Sequence, residues 1–219
     1  MKINQAMILA SGRGNRMMPL TKDLPKAMIR IGNVTLLEDK IIKLAESGIN
    51  RLVINTGYLG DYIKDHVGDG SKFGVEIIIS DEGKMPIGTA SGIRKAVNHF
   101  NDKPFIVVNA DIWTNYLFIN LMNYELETNQ MAHLVLTPKP DYQKGDFNLG
   151  DGGHIAPGST YTFTGIGLYR PELFIKYDEK ELGSILKQNQ SIKAEIYNGL
   201  WHDIGTPERL NMIRKTIGL

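Results

Sequence analysis

The 219-residue sequence contains no cysteine, which excludes disulfides, thiolate metal centres and a cysteine nucleophile. It also has little surplus of one charge, because 25 Lys and Arg residues offset 24 Asp and Glu residues. The formal net charge of +1 gives no general attraction to nucleic acid or to an anionic membrane, and we expect neither partner. The apolar stretch at 6–10 is too short for a signal peptide or a membrane span, so a cytoplasmic protein is expected.

The remaining composition is typical of a globular protein, with 42% apolar and 22% charged residues. In the first half, short apolar runs alternate with segments of helical periodicity. This order predicts an α/β fold, with a Rossmann-like, mainly parallel sheet and helices on both faces. Strands are predicted at 5–10, 51–56, 75–80 and 104–109, and helices at 36–47, 61–67 and 90–100.

The second half is less regular, although no linker or internal repeat interrupts it, and we expect one domain over residues 1–219. Strands are predicted at 133–137, 160–169 and 195–197, and a final helix at 207–217. The stretch 141–159 is rich in Gly, Asp and Pro, which predicts a long loop or an irregular hairpin. Such segments within compact domains often bind ligands.

The segment after the first strand combines glycines with cations. Gly12 and Gly14 allow a sharp turn whose backbone N–H groups can bind an anion, and Arg16 and Lys26 add positive charge. This combination favours a polyphosphate ligand. The dinucleotide fingerprint is disfavoured because Met17 stands where its third glycine is required, and no G-x-x-x-x-G-K-[ST] string is present.

The longer pattern, G-x-G-x-R at 12–16 followed by Pro25 and Lys26, resembles the signature of the sugar-1-phosphate nucleotidyltransferases. These enzymes join a nucleoside triphosphate to a sugar 1-phosphate and release pyrophosphate. The resemblance implies a GT-A-like nucleotidyltransferase fold. It also implies the triphosphate-binding residues, of which Arg16 and Lys26 are catalytic: Gly12, Gly14, Asn15, Arg16 and Lys26.

Three further strings carry the same resemblance. The string P-I-G-T-A at 86–90 resembles the one whose backbone binds the nucleobase, which places Gly88 near the base. The string N-A-D resembles N-G-D, which implies that Asn109 lies near the nucleotide and that Asp111 is a catalytic metal ligand. The string W-x-D-x-G-T-P-E at 201–208 implies that Asp203 is the second metal ligand. The implied cofactor is Mg²⁺, which prefers oxygen ligands and commonly takes only one or two protein carboxylates.

Matches outside the general signature indicate a subgroup that uses UTP with a sugar 1-phosphate. They nominate Asp146, in a G-D-F string, and Gly165 as sugar-phosphate-binding residues, and a solvated loop acid is the alternative for Asp146. The resemblance divides the domain into a nucleotide-binding half, 1–111, and a sugar-phosphate-binding half, 112–219. The short stretch after the last motif predicts a catalytic core without a second module, as a monomer or a small homo-oligomer.

Three alternatives remain. Ser91 and Ala110 depart from the family strings, so another hexose-1-phosphate guanylyl-, uridylyl- or thymidylyltransferase is the nearest one. A non-catalytic nucleotide-sugar-binding module is less favoured, because Lys26, Asp111 and Asp203 are all present. An NAD-binding domain is disfavoured by Met17.

Overall fold

The computed structural model describes residues 3–85 and 87–218. Its strands are β1 Gln5–Leu9, β2 Arg30–Ile31, β3 Val34–Thr35, β4 Arg51–Thr56, β5 Glu76–Asp81, β6 Phe105–Asn109, β7 Ile112–Thr114, β8 Ala132–Pro138, β9 Phe147–Leu149, β10 Ile155–Pro157, β11 Tyr161–Tyr169, β12 Ile192–Ile196 and β13 Trp201–Asp203. Its helices are α1 Leu36–Ser47, α2 Gly60–Val67, α3 Thr89–Ala96, α4 Ile119–Met122, α5 Pro171–Lys176, α6 Leu182–Gln188 and α7 Pro207–Thr216. Within these two ranges, no helix is both long and apolar enough to cross a membrane.

Strands of the main sheet follow one another in the order β12-β8-β11-β6-β1-β4-β5. The pair β10-β9 belongs to the same sheet, because β9 is also bonded to β11. Strand β1 lies in parallel between β4 and β6, and β5 continues the parallel arrangement beside β4. Strand β11 runs antiparallel to both β6 and β8, whereas β12 pairs in parallel with β8. The prediction of a mixed, mainly parallel sheet is therefore confirmed.

Helices cover both faces of the sheet because the buried strands are apolar on both sides. On one face, Ala6 and Ile8 of β1 belong to a cluster with α1 and α2. On the other face, Met7 of the same strand packs in a cluster with α3, α5 and α6. A third cluster joins Met17, just after the glycine-rich loop, to Leu210 of α7. The C-terminal helix α7 therefore packs beside that loop.

Most differences from the predicted elements concern bounds. The helix predicted at 90–100 begins at Thr89 and changes to a 3-10 turn at Val97–Phe100. For the stretch 141–159, a long loop or an irregular hairpin was predicted. The structure has the hairpin, because this stretch contains the short antiparallel pair β9–β10. Strand β12 begins three residues before its predicted start. Helices α4, α5 and α6 were not predicted, because they have four, six and seven residues and no side-chain cap.

Candidate active site

A cleft of about 320 Å³ opens at the carboxyl ends of β1 and β6, where open α/β sheets usually bind ligands. It brings together residues from the glycine-rich loop, the start of α3 and the segment after β6. Among its lining residues are Gly12, Lys26, Asn55, Glu82, Gly88, Thr89, Asn109, Asp111 and Glu181.

The buried side chain of Asn55, at the end of β4, fixes the start of the glycine-rich loop. Its Oδ1 accepts a hydrogen bond from the Ala10 N–H at 2.7 Å. Its Nδ2 donates to Ser11 Oγ at 3.2 Å and to Glu82 Oε1 at 2.6 Å. One amide therefore joins the loop after β1 to the segment after β5. This role was missed in the sequence, because it depends on contacts between distant segments.

Gly14 allows the loop to pack directly against the segment that carries Lys26. Its φ of +66° lies in the left-handed region that favours glycine, and an added Cβ would lie 3.0 Å from Lys26 Cβ. Thr21 Oγ1 donates to the Gly14 carbonyl at 2.8 Å. The exposed Asn15 starts a 3-10 turn just after this glycine. The predicted loop residues and Lys26 are therefore close together.

Lys26 and Asp111 form an ion pair at one side of the cleft. The Nζ–Oδ2 distance is 2.5 Å, and the side chains are 10% and 34% exposed, respectively. Such a partly desolvated pair is stronger than one at the surface. The structure thus places two of the predicted catalytic groups in direct contact.

Asp203 lies beside Asp111 because β13 pairs with β7. In this antiparallel pair Asp203 is opposite Ile112, and the Ile204 N–H donates to the Asp111 carbonyl at 2.9 Å. Asp203 Oδ2 is 2.5 Å from Arg209 Nη1 at the start of α7. The two described ranges hold no group of three or more His, Cys, Asp or Glu residues arranged for a metal. These two carboxylates fit an ion that needs few protein ligands.

A buried charge cluster lies near the strand that follows Asp111. Lys40 of α1 is fully buried and forms an ion pair with Asp39. Lys43 is 2.8 Å from the same carboxylate and donates to the Thr114 carbonyl at 2.7 Å. Burial holds the pKa of Lys40 below its ordinary value, although the charge of Asp39 opposes this shift. The cluster places positive charge in the vicinity of the metal-ligand candidate.

Asn109 and Gly165 are brought together between β6 and β11. Gly165 has a φ of +78° within a register shift of β11, and an added Cβ would lie 2.6 Å from Asn109 Nδ2. Only a residue without a side chain permits this approach. Asn109, predicted to lie near the nucleotide, is thus in close contact with Gly165, predicted to bind the sugar phosphate.

Asp146 fixes the same irregularity of β11 from outside the cleft lining. Its Oδ2 accepts a hydrogen bond from the Phe163 N–H at 3.0 Å, and its own N–H donates to the Tyr161 carbonyl at 2.7 Å. The carboxylate therefore holds the strand two residues before Gly165.

Arg16 lies on the Asp203 side of the site rather than along the cleft. A Cβ added to Gly205 would lie 3.2 Å from Arg16 Nη2, 3.1 Å from Arg209 Nη1 and 2.9 Å from Asp203 Oδ1. Two guanidinium groups and one carboxylate therefore converge on Gly205. Arg209 could have been noticed in the sequence, since it lies six residues after Asp203, in the first turn of the predicted final helix.

The nucleobase string is represented by its residues 87–90, because Pro86 lies outside the described residues. Gly88 has a φ of +94°, and an added Cβ would lie 2.5 Å from the Lys180 carbonyl. That carbonyl accepts a hydrogen bond from the Ala90 N–H at 2.8 Å. Thr89 Oγ1 is 3.3 Å from Glu181 Oε2. Residues 180–181 thus complete this end of the cleft, and no sequence motif indicated them.

Comparisons with known proteins found relatives in sequence and in fold. Residues 5–217 match the family model described as nucleotidyl transferase. The chain is 36% identical over 230 residues to N-acetylmuramate alpha-1-phosphate uridylyltransferase of Neisseria meningitidis serogroup B, and the alignment covers 98% of each chain. It is 25% identical to mannose-1-phosphate guanylyltransferase catalytic subunit beta of Danio rerio, over 93% of this chain and 62% of that protein. The solved structure of HddC from Yersinia pseudotuberculosis has the same fold, with a TM-score of 0.82, 21% identity and coverage of 98% and 100%.

Proposed function

We propose a reaction from one premise: this chain belongs to the nucleotidyl transferase family. The reaction transfers a uridylyl group from UTP to N-acetylmuramate 1-phosphate, giving UDP-N-acetylmuramate and pyrophosphate, within the recycling of peptidoglycan sugars. The observation that carries the proposal is a cleft lined by the Lys26–Asp111 pair, with Asp203 on the strand that pairs with β7 next to it. The specific substrates are supported by the similarity to the Neisseria uridylyltransferase along nearly the whole chain.

The acceptor supplies its own nucleophile. The second pKa of a phosphate monoester is about 6, so the sugar 1-phosphate is largely a dianion at neutral pH and needs no general base. One of its oxygens attacks the α-phosphorus of UTP in line, and the bond to the β-phosphate breaks as pyrophosphate leaves. The protein must therefore hold two polyanions together and neutralise the charge that develops.

The chain offers groups for each part of this task. The backbone at Gly12 and Gly14, with Asn15 and Arg16, binds the triphosphate, and the Lys26 ammonium stabilises charge at the phosphates. Nucleoside contacts come from the close backbone at Gly88 and from the Asn109 amide. On the acceptor side, the position of Gly165 is set by the hydrogen bond between Asp146 and the Phe163 N–H.

Asp111 and Asp203 would hold Mg²⁺. Their oxygen donors suit this ion, and a site with two protein carboxylates leaves the remaining ligand positions to phosphate and water. When bound, the ion supplies positive charge that offsets repulsion between the two phosphate groups. Lys26 and Arg209, which pair with these carboxylates, keep both of them oriented toward the site.

Pyrophosphate release tests the proposal. The purified protein is assayed with UTP, GTP, CTP and dTTP, each with N-acetylmuramate, N-acetylglucosamine, glucose and mannose 1-phosphates. The expected preferred pair is UTP with N-acetylmuramate 1-phosphate. A Lys26→Met preparation made in parallel shows whether the activity belongs to this protein.

A second candidate is a hexose-1-phosphate nucleotidyltransferase, such as a mannose-1-phosphate guanylyltransferase. The departure at Ser91 from the nucleobase string and the similarity to the Danio guanylyltransferase favour it. It predicts GTP with mannose 1-phosphate as the preferred pair in the same panel. A binding module without catalysis predicts nucleotide binding and no pyrophosphate from any pair.

A further inference from the structure

Arg209 connects two parts of the site that are distant in sequence. Its Nη1 is 2.5 Å from Asp203 Oδ2, and its guanidinium carbon is 4.2 Å from the centroid of the Tyr142 ring. The Arg209 and Asp203 side chains are 20% and 19% exposed, so water screens their attraction less than at the surface. A planar guanidinium can make both contacts at once, which an ammonium cannot do equally well.

Tyr142 belongs to residues 139–146, which we call the acceptor segment. The next residue, Gln143, has its Nε2 3.5 Å from the same Asp203 oxygen. At the end of the segment, Asp146 is bonded to the backbone of β11. The acceptor segment is therefore held at one end beside Gly165 and near its middle beside Asp203.

The charged side chains that meet near Gly205 give this part of the site a charge suited to phosphate. Arg209 and Arg16 approach Gly205 on the side where a Cβ would lie, together with one Asp203 oxygen. Two permanent cations and one carboxylate leave a local excess of positive charge next to the acceptor segment. An anionic phosphate group is the ligand that such an excess favours.

We propose that Arg209 is a positioning residue that clamps the acceptor segment over Asp203, with the Tyr142 ring as the other half of the clamp. The clamp holds the segment in the conformation that binds the sugar 1-phosphate, so it lowers the KM for this substrate and leaves the KM for the nucleotide unchanged. The identity of the ligand rests on the proposed function, whereas the clamp itself does not.

Hydrogen exchange of the free protein tests the clamp without any substrate. The amides of Lys139, Gln143 and Asp146 donate hydrogen bonds within or next to the segment, so their protection is measurable. Tyr142→Leu and Arg209→Lys are expected to accelerate exchange in 139–146, whereas Tyr142→Phe keeps the ring and leaves exchange as in the wild type. Unchanged exchange in both Tyr142→Leu and Arg209→Lys would overturn the proposal.

Arg214→Lys is the matched control on the same helix, since Arg214 donates to the Arg30 carbonyl at 2.9 Å and not to the site. It is expected to leave exchange in the segment unchanged. Tyr142→Leu protects the test against a folding failure, because this side chain is 44% exposed and contributes little to the core.

Steady-state kinetics provide the second readout. Tyr142→Leu is expected to raise the KM for the sugar 1-phosphate about 2- to 30-fold, the range that corresponds to the loss of one cation–π contact. The KM for UTP should stay the same, and Tyr142→Phe should match the wild type. Equal changes in both KM values would overturn the clamp. A protein that turns over none of the sugar phosphates would contradict the proposed function, while the exchange result would still decide the clamp.

Discussion

Gly165→Ala tests the close approach between β11 and Asn109. Gly165 combines a φ of +78° with an ideal Cβ position only 2.6 Å from Asn109 Nδ2 and 2.8 Å from its Cγ. The left-handed backbone costs about 1–3 kcal/mol for a residue with a side chain. Overpacking of a tight site costs a further ~1–3 kcal/mol. The total loss is therefore about 2–6 kcal/mol, which lowers the Tm of a domain of this size by roughly 4–24 °C.

Two glycine controls separate the two contributions in thermal unfolding. Gly74 has a φ of +71°, and among the described residues other than its chain neighbours none has an atom within 4 Å of an added Cβ, so Gly74→Ala carries the backbone strain alone. Gly183 lies in α6 without a positive φ or a close neighbour, so Gly183→Ala should be neutral or slightly stabilising. Adding Asn109→Ala to Gly165→Ala should recover the steric part of the loss and leave the strain. If Gly165→Ala and Gly74→Ala lower the Tm equally, the argument for a close approach is refuted.

Two further predictions concern charged groups. Lys26→Met should lower the rate of pyrophosphate release by ~10²–10³ with an unchanged circular dichroism spectrum, because one preorganised charge is lost, and a rate like that of the wild type would contradict its assignment. In urea unfolding, Asp39→Asn should lower the free energy of unfolding by about 3–5 kcal/mol, because it leaves the buried Lys40 without a partner charge. Lys40→Met should lower it much less, because Asp39 still pairs with Lys43. Equal losses of stability in the two variants would contradict this prediction. Burial raises the pKa of the Asp39 carboxyl, but Lys40 and Lys43 outweigh it and hold this pKa below its ordinary value. Its contribution to stability is thus present at neutral pH and is lost as the pH falls below about 3.9 and through the folded-state pKa.

The elements that the sequence predicts well are those defined by local signals. Helix α1 has the predicted bounds because Thr35 and Glu38 form a capping box at its start and Gly48 ends it with a φ of 102°. Strand β4 also has its predicted bounds, since an uninterrupted apolar run is typical of a strand buried on both faces.

The elements that the sequence does not predict depend on contacts between distant segments. Strands β7 and β13 have three residues each and pair only with one another, so neither shows a period that could be recognised. Part of what fixes β13 is a hydrogen bond from Trp201 Nε1 to the Thr164 carbonyl at 2.9 Å. Such a contact across the fold leaves no local trace in the chain.

The residues of the candidate site also differ in whether a local signal in the sequence reveals them. The motifs named Lys26, Asp111 and Asp203 in advance, because their residue types and spacing follow a known signature. Asn55 gains its role from hydrogen bonds that link separate segments, so spacing alone could not reveal it. Arg209 pairs with Asp203 only six residues away, so its role could have been looked for in the sequence.

The most direct test of the proposed reaction is kcat/KM for pyrophosphate release with each nucleotide and sugar 1-phosphate pair. We expect the value for UTP with N-acetylmuramate 1-phosphate to exceed that of every other pair by about 10-fold or more. A higher value for another pair, or no pyrophosphate from any pair, would contradict it.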